Sequence, residues 1–213
     1  MNTFGPSALL ECYRRGVFPM SDSRSDTQVF LMDPDQRGII PVDGLHVSRS
    51  LRKFIRKSKW TVRYNNDFVS VIRACAAPDE GRESTWISEG LEHLYIALHQ
   101  AECAYSVGVY EGEDLVGGLY GVCLGGAYFG ESMFSDKTNA SKVALVALVH
   151  ALTGAGFTLL DTQFLTPHLA SLGGIEIPRA QYQRRLSSAL EQVAHFPKMT
   201  IPVSALLGEN SSR

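Results

Sequence analysis

The sequence predicts an α+β protein in which helices flank a mixed β-sheet, and three features of its 213 residues carry that prediction. Hydrophobic residues recur at helical spacing before Ala104 and at the two-residue spacing of strands after it. Three strand-like runs then follow one another across two short turns, the arrangement of an antiparallel meander. Last, a segment apolar on nearly every side precedes the short run FTLLD. A helix between two strands of one sheet implies a crossover, so that last strand should lie parallel to an earlier one.

Taken in order, residues 7–16 read as a first helix, and VFPMSDSRSDTQ and VFLMDPDQRGIIPVDG read as short strands and loops, because Pro34 and Pro41 break any helical pattern. SRSLRKFIRKS places Leu51, Phe54 and Ile55 on one face of a helix opening at Ser48 and basic residues on the rest. WTVRYN is a strand. Asp67 or Asn66 can cap the helix DFVSVIRACAA, residues 78–83 form a polar loop, and Ser88 starts SEGLEHLYIALHQAE. AYSVGVY, LVGGLYGVCL and AYFGESMF are the meander strands. ASKVALVALVHALTGAG is a buried helix stopped by Gly154 and Gly156, and PRAQYQRRLSSALEQV is a final helix with Pro178 near its start.

Composition narrows the functional classes. Hydrophobic residues make up 45% of the chain, ample for a folded core. No stretch approaches the roughly 20 apolar residues of a membrane span. The N-terminal MNTFGPSALLECYRRG is charged where a signal peptide would be apolar, so a cytoplasmic protein is expected. Cys12, Cys75, Cys103 and Cys123 are widely spaced, and we expect them reduced and mostly buried. The net charge of −2 does not favour nucleic acid, but its distribution does: between Gly44 and Asn66 there is no acid and there are seven basic residues.

Chemistry concentrates at two strand ends. Glu131 lies between glycine and apolar residues in FGESMF, where a carboxylate is costly unless a partner such as Lys142, a buried tyrosine or a ligand accounts for it. Asp161 and Gln163 follow the apolar FTLL two residues apart, pointing to the same face of a strand. His168, beside Thr166-Pro167, reads as the neighbour of a helix cap.

The motifs GVFPM, TWIS, DLVGGLYGV, FGESMF, NASK, LLDTQFLTPHLASLG and IPR, in this order and at these intervals, resemble the bacterial leucyl/phenylalanyl-tRNA–protein transferase family over nearly the whole chain. The resemblance implies a small N-terminal α/β domain (residues 1–65, with the basic helix) and an N-acetyltransferase-like domain (66–213). It implies an enzyme that moves leucine or phenylalanine from tRNA to the N-terminal arginine or lysine of acceptor proteins, marking them for N-degron degradation. Glu131, Asp161 and Gln163 fall on the family's catalytic positions. For the aminoacyl side chain, an apolar slot is expected from Trp86, Tyr120, Phe129, Met133 and Phe134. Arg49, Arg52, Lys53, Arg56 and Lys57 are expected to track tRNA phosphates. No cofactor and no metal is called for, and a monomer is expected.

The chain departs from the family pattern at two places. Leu31 and Met32 stand where many members have two tryptophans, and Tyr105, Gly108 and Tyr110 replace a usual histidine, glutamate and tryptophan. An altered amino-acid or acceptor preference is the alternative these departures raise. A coenzyme-A-dependent N-acyltransferase is disfavoured because SDKTNASK lacks the glycine loop that grips a pyrophosphate, and a silent tRNA-binding protein because the three polar residues are retained.

Overall fold

The computed structural model describes residues 4–78 and 84–207, so the polar loop expected at 78–83 lies almost wholly outside the described residues. Helix α1 (Pro6–Arg14) leads into β1 (Phe18–Met20) and β2 (Phe30–Met32), which pair with each other, and then β3 (Gln36–Ile40). Next come α2 (Arg49–Lys57), β4 (Thr61–Tyr64), α3 (Phe68–Ala76) and α4 (Glu89–Gln100). The meander follows as β5 (Ala104–Glu111), β6 (Asp114–Leu124) and β7 (Ala127–Ser135). Then α5 (Ala140–Leu152), β8 (Leu159–Gln163), α6 (Pro167–Ser171), β9 (Ile175–Pro178), α7 (Arg179–Leu190), β10 (Thr200–Pro202) and a 3₁₀ turn (Val203–Leu207) complete the described chain.

Local chemistry sets the helix starts. The Ser48, Asp67, Ser88 and Thr166 side chains each accept a backbone N–H in the first turn of α2, α3, α4 and α6. Each such cap satisfies a donor that the helix cannot pair internally.

The sheet has eight strands in the order β10-β4-β5-β6-β7-β8-β3-β9. Its pairs are antiparallel except β7 with β8, the parallel pair that the crossover through α5 creates. The α+β prediction therefore holds, with the meander and the parallel crossover where the sequence puts them. Three additions to the sheet were not legible: β9 forms just before the last helix, and β10 and β3 join strands remote in sequence. Residues on both sides of position 65 share this sheet, since β3 and β4 are two of its strands.

Helices cover both faces. One core packs α5, α2 and the 3₁₀ turn against the sheet, through residues such as Leu51, Ile55, Leu145, Leu148, Leu160 and Val203. The other packs α1, α3, α4 and α7 against the opposite face, through Tyr13, Phe68, Tyr95, Phe129 and Tyr182. Helix α5 is buried along 10 of its 13 residues, as its all-round apolar sequence requires. Of the four free cysteines only Cys75 is fully buried; Cys12, Cys103 and Cys123 are partly covered, so the expectation of mostly buried thiols is too strong. Among the described residues no helix is long and apolar enough to cross a membrane.

Candidate active site

Strands β7 and β8 pair only from Ala127↔Leu159 to Phe129↔Asp161, and beyond that point they part. Both carry an extra residue just past the last pair. On β7, Gly130 faces Gly121 and Ser132 faces Tyr120, which leaves Glu131 unopposed. On β8, Asp161 faces Ile39 and Gln163 faces Gly38, which leaves Thr162 unopposed. Such bulges bend a strand and re-aim its side chains. Gln163 has φ 60°, and Phe164 N–H donates across it to Thr162 O at 2.7 Å, a three-residue turn. A non-glycine residue in the left-handed region is strained, and here the strain sits at the edge of the gap between the parallel strands.

Two carboxylates meet there in different environments. Asp161 is fully buried and receives four hydrogen bonds. Arg37 Nε and Nη2 donate to its two oxygens at 2.9 and 2.7 Å, Tyr182 OH donates at 2.7 Å, and the Gln163 backbone N–H donates at 2.8 Å. Arg37 is only 1% exposed, lies between the Phe18 and Tyr182 rings with its guanidinium carbon 4.5 Å from each centroid, and donates to Gly16 O. Desolvating this pair is offset by bidentate geometry and by partners for the remaining donors and lone pairs.

Glu131, 7% exposed, accepts from Tyr95 OH at 2.7 Å and from Gln163 Nε2 at 3.0 Å. Tyr95 in turn is 2.7 Å from Tyr13 OH. The partner of Glu131 is thus a buried tyrosine together with Gln163, rather than Lys142. Burial is the largest influence on Glu131 and raises its pKa to about 7, against hydrogen bonds from the tyrosines that favour the charge. Burial first, and then the neighbouring Glu131, hold Tyr13, Tyr95 and Tyr120 well above the ordinary phenol value, so all three stay protonated. Gln163 gives an amide N–H to Glu131, so its carboxamide is held at the edge of the gap by that bond.

These groups border a cavity of about 330 Å³. Glu131, Gln163, Trp86, Tyr120 and Met133 line it, as do Phe18, Pro19 and Met20 of β1. Asp161 does not; it reaches the cavity through the Gln163 main chain. Of the five expected slot residues, Trp86, Tyr120 and Met133 are on the wall, while Phe129 and Phe134 are in the core. Phe129 packs on Tyr13 at 4.9 Å between ring centroids, and the bulge at Glu131 returns Phe134 to the same core-facing side. The wall also includes Leu119, Leu145, Leu148, Leu160 and Leu169, which sequence reasoning missed. Two of these come from α5, whose unbroken apolarity gave no sign that one stripe faces a void. Arg37 was missed as well, although an arginine inside the apolar run RGII signals a buried partner.

The basic side chains Arg49, Lys53, Arg56 and Lys57 are exposed on α2, and Arg52 is half-buried with its Nε donating to Val47 O at 3.0 Å. Ser50, Lys53, Phe54, Lys57 and Ser58 of this region line a surface groove with Asn139, the residue that precedes α5. Among the described residues no group of three or more His, Cys, Asp or Glu side chains is placed to hold a metal ion.

Residues 39–187 match the family described as leucyl/phenylalanyl-tRNA protein transferase. The chain belongs to this family. It is similar to the leucyl/phenylalanyl-tRNA–protein transferase of Cereibacter sphaeroides, with 53% identity over 98% of this chain and 96% of that protein. The enzyme of the same name from Maricaulis maris is 54% identical over 92% and 91%, and that of Rhodospirillum rubrum 50% identical over 92% of each. The leucyl/phenylalanyl-tRNA protein transferase match spans β3 to α7, and so includes both bulges, Arg37's partner Asp161, and the cavity wall from Trp86 to Leu169. The β1–β2 hairpin lies before it. There Phe30 and Leu31 are 43% and 52% exposed, on the strand paired to the cavity residues Pro19 and Met20.

Proposed function

We propose that this protein transfers leucine or phenylalanine from aminoacyl-tRNA to the N-terminal arginine or lysine of acceptor proteins, marking them for degradation. The family supplies the reaction class, and the cavity bordered by the bulged Glu131 and Gln163 is the observation that carries the reading. The leucine-lined half of the cavity suits an apolar aminoacyl side chain and offers it no specific polar partner. Selectivity by such a slot is graded, roughly 10–200-fold per methylene.

The acceptor α-amine attacks the ester carbonyl; the new C–N bond forms, the ester C–O bond breaks, and the amine proton ends on the released tRNA hydroxyl. The ester is already activated, and an α-amine with a pKa of about 7.7–8.0 is partly neutral near pH 7, so orientation does most of the work. In this reading the Gln163 carbonyl oxygen takes an N–H of the attacking amine, Asp161 fixes Gln163 through its main chain, and Glu131 faces the cationic acceptor. The basic face of α2 tracks acceptor-stem phosphates, and the protein acts as a monomer with no metal or cofactor.

The test is transfer from leucyl-, phenylalanyl- and other aminoacyl-tRNAs to peptides beginning with Arg, Lys, Asp or Glu. Leucyl and phenylalanyl transfer to Arg and Lys peptides is expected, falling at least tenfold in folded Gln163→Ala, Asp161→Ala and Glu131→Gln. Transfer only from an acyl-coenzyme A, binding without transfer, or wild-type rates in all three variants would overturn it.

A further inference from the structure

The β1–β2 hairpin supplies Phe18, Pro19 and Met20 to the cavity wall, and Trp86 is on that wall as well. The hairpin is a separate two-stranded sheet, and a ribbon of that kind is at best marginally stable by itself. Packing fixes its base: Phe18 is buried and meets Phe164 edge-on, with 5.5 Å between ring centroids. Beyond Met20, polar bonds tie it to the segment that carries Trp86. Ser21 N–H donates to Trp86 O at 3.2 Å, Arg24 Nη1 to Ile87 O at 3.1 Å and Glu89 N–H to Arg24 O at 3.0 Å. The Ser21 and Ser88 hydroxyls are 3.1 Å apart.

Arg24 is the long arm of this link, and its side chain is 40% exposed. Holding so long a side chain in one rotamer costs entropy, which a second partner offsets. That partner is Glu92, in the first turn of α4 and only 4% exposed. One of its oxygens accepts Arg24 Nη2, and the other accepts Arg73 Nε of α3 at 3.1 Å. Burial opposes the charge of Glu92, but the bonds from the two guanidiniums prevail and hold its carboxyl below the ordinary range. It is therefore ionised near pH 7, and the guanidinium fork of Arg24 spans Ile87 O and Glu92 together. None of Arg24, Arg73 and Glu92 lines the cavity, so the cluster acts on a substrate there only through the wall it holds.

We propose that Arg24 and Glu92 are positioning residues for amino-acid selectivity: their link holds the hairpin against the Trp86 segment and so fixes the width of the apolar slot. This rests on the transferase reading above. A slot of fixed width penalises a smaller side chain by the void left beside it, because the surroundings relax only in part. A wall free to yield closes on the smaller side chain and recovers some of the lost contact, and discrimination weakens.

The first measurement compares kcat/KM for one tRNA charged with leucine or with valine, a ratio in which the amount of folded enzyme cancels. Wild type is expected to prefer leucine at least about tenfold, the worth of one methylene. Arg24→Ala and Glu92→Ala should lower that ratio at least about threefold. Arg73→Ala leaves Arg24 both of its acceptors and should keep the ratio within about twofold. The second measurement needs no activity. With fluorotryptophan in place of both tryptophans, the fluorine resonance of Trp86 should shift or broaden in Arg24→Ala and Glu92→Ala, while that of Trp60, in the other core, stays in place. Because Arg24 is partly exposed, Arg24→Ala tests the link even where Glu92→Ala fails to fold. A ratio unchanged in Arg24→Ala overturns the proposal, and so does an equal fall in Arg73→Ala or an unmoved Trp86 resonance. Wild-type transfer of neither amino acid overturns the transferase reading and the selectivity role with it, an outcome that the wild type alone tells apart.

Discussion

Glu131 and Asp161 are two buried carboxylates whose neighbours give them opposite tasks. Asp161 has a guanidinium bonded to both oxygens and no place on the cavity wall, whereas Glu131 has neutral donors and an open side. The consequence for Glu131 is measurable as stability. In the folded protein it keeps its proton to about pH 7, while in the unfolded chain it releases it near the ordinary value of 4.5. Between those values the folded state binds more proton, so this residue makes stability fall as pH rises through the window. The difference amounts to about 3 kcal/mol in total. Thermal or urea unfolding of Glu131→Gln between pH 4.5 and 7 should show that slope reduced relative to wild type, and identical slopes would contradict the assignment. FGESMF identified the odd carboxylate. Its partners Tyr95 and Gln163, at 36 and 32 residues' distance, are brought to it by the packing of α4 and the pairing of β8.

At the scale of elements, the site is made where strand pairing fails. The two bulges turn Glu131, Thr162 and Gln163 toward the gap between β7 and β8, and β3 holds the second bulge in place. A methyl group on Gly38 would lie 2.6 Å from the Phe164 carbonyl carbon and 2.8 Å from Leu165 N. Both are backbone atoms, so the turn around Gln163 has to shift. Gly38→Ala is therefore expected to lower kcat for transfer at least tenfold while leaving a cooperative thermal transition, measured on the same preparation; an unchanged kcat would show that this turn does not govern Gln163. The sequence placed Asp161 and Gln163 at a strand end correctly, but strict alternation was too simple. Alternation assumes an unbroken ladder, and the extra residue at 131 reverses the parity of everything after it, which puts Phe134 in the same core as Phe129.

For the whole molecule, a net charge of −2 conceals a division between a basic face on α2 and a carboxylate facing the cavity. If α2 tracks tRNA phosphates, replacing Lys53, Arg56 and Lys57 by glutamate should raise the KM for aminoacyl-tRNA at least tenfold and reduce the slope of log affinity against log salt by about 2–3, at roughly 0.7–0.9 per phosphate contact. An unchanged KM and slope would leave α2 as a solvated face. The basic run, the helix and strand periods, the meander, the crossover and the polar residues of FGESMF and DTQ were all legible, because each is set by neighbours within a few residues. Family membership was legible from long motifs for the same reason. What only the tertiary structure decided is which distant groups meet: Arg37 against Asp161, Tyr95 and Gln163 against Glu131, and the α5 leucines on one cavity wall with Met133. Those contacts depend on strand order and on two one-residue bulges, and local hydrophobic patterning does not encode either, because many pairings bury the same apolar faces equally well.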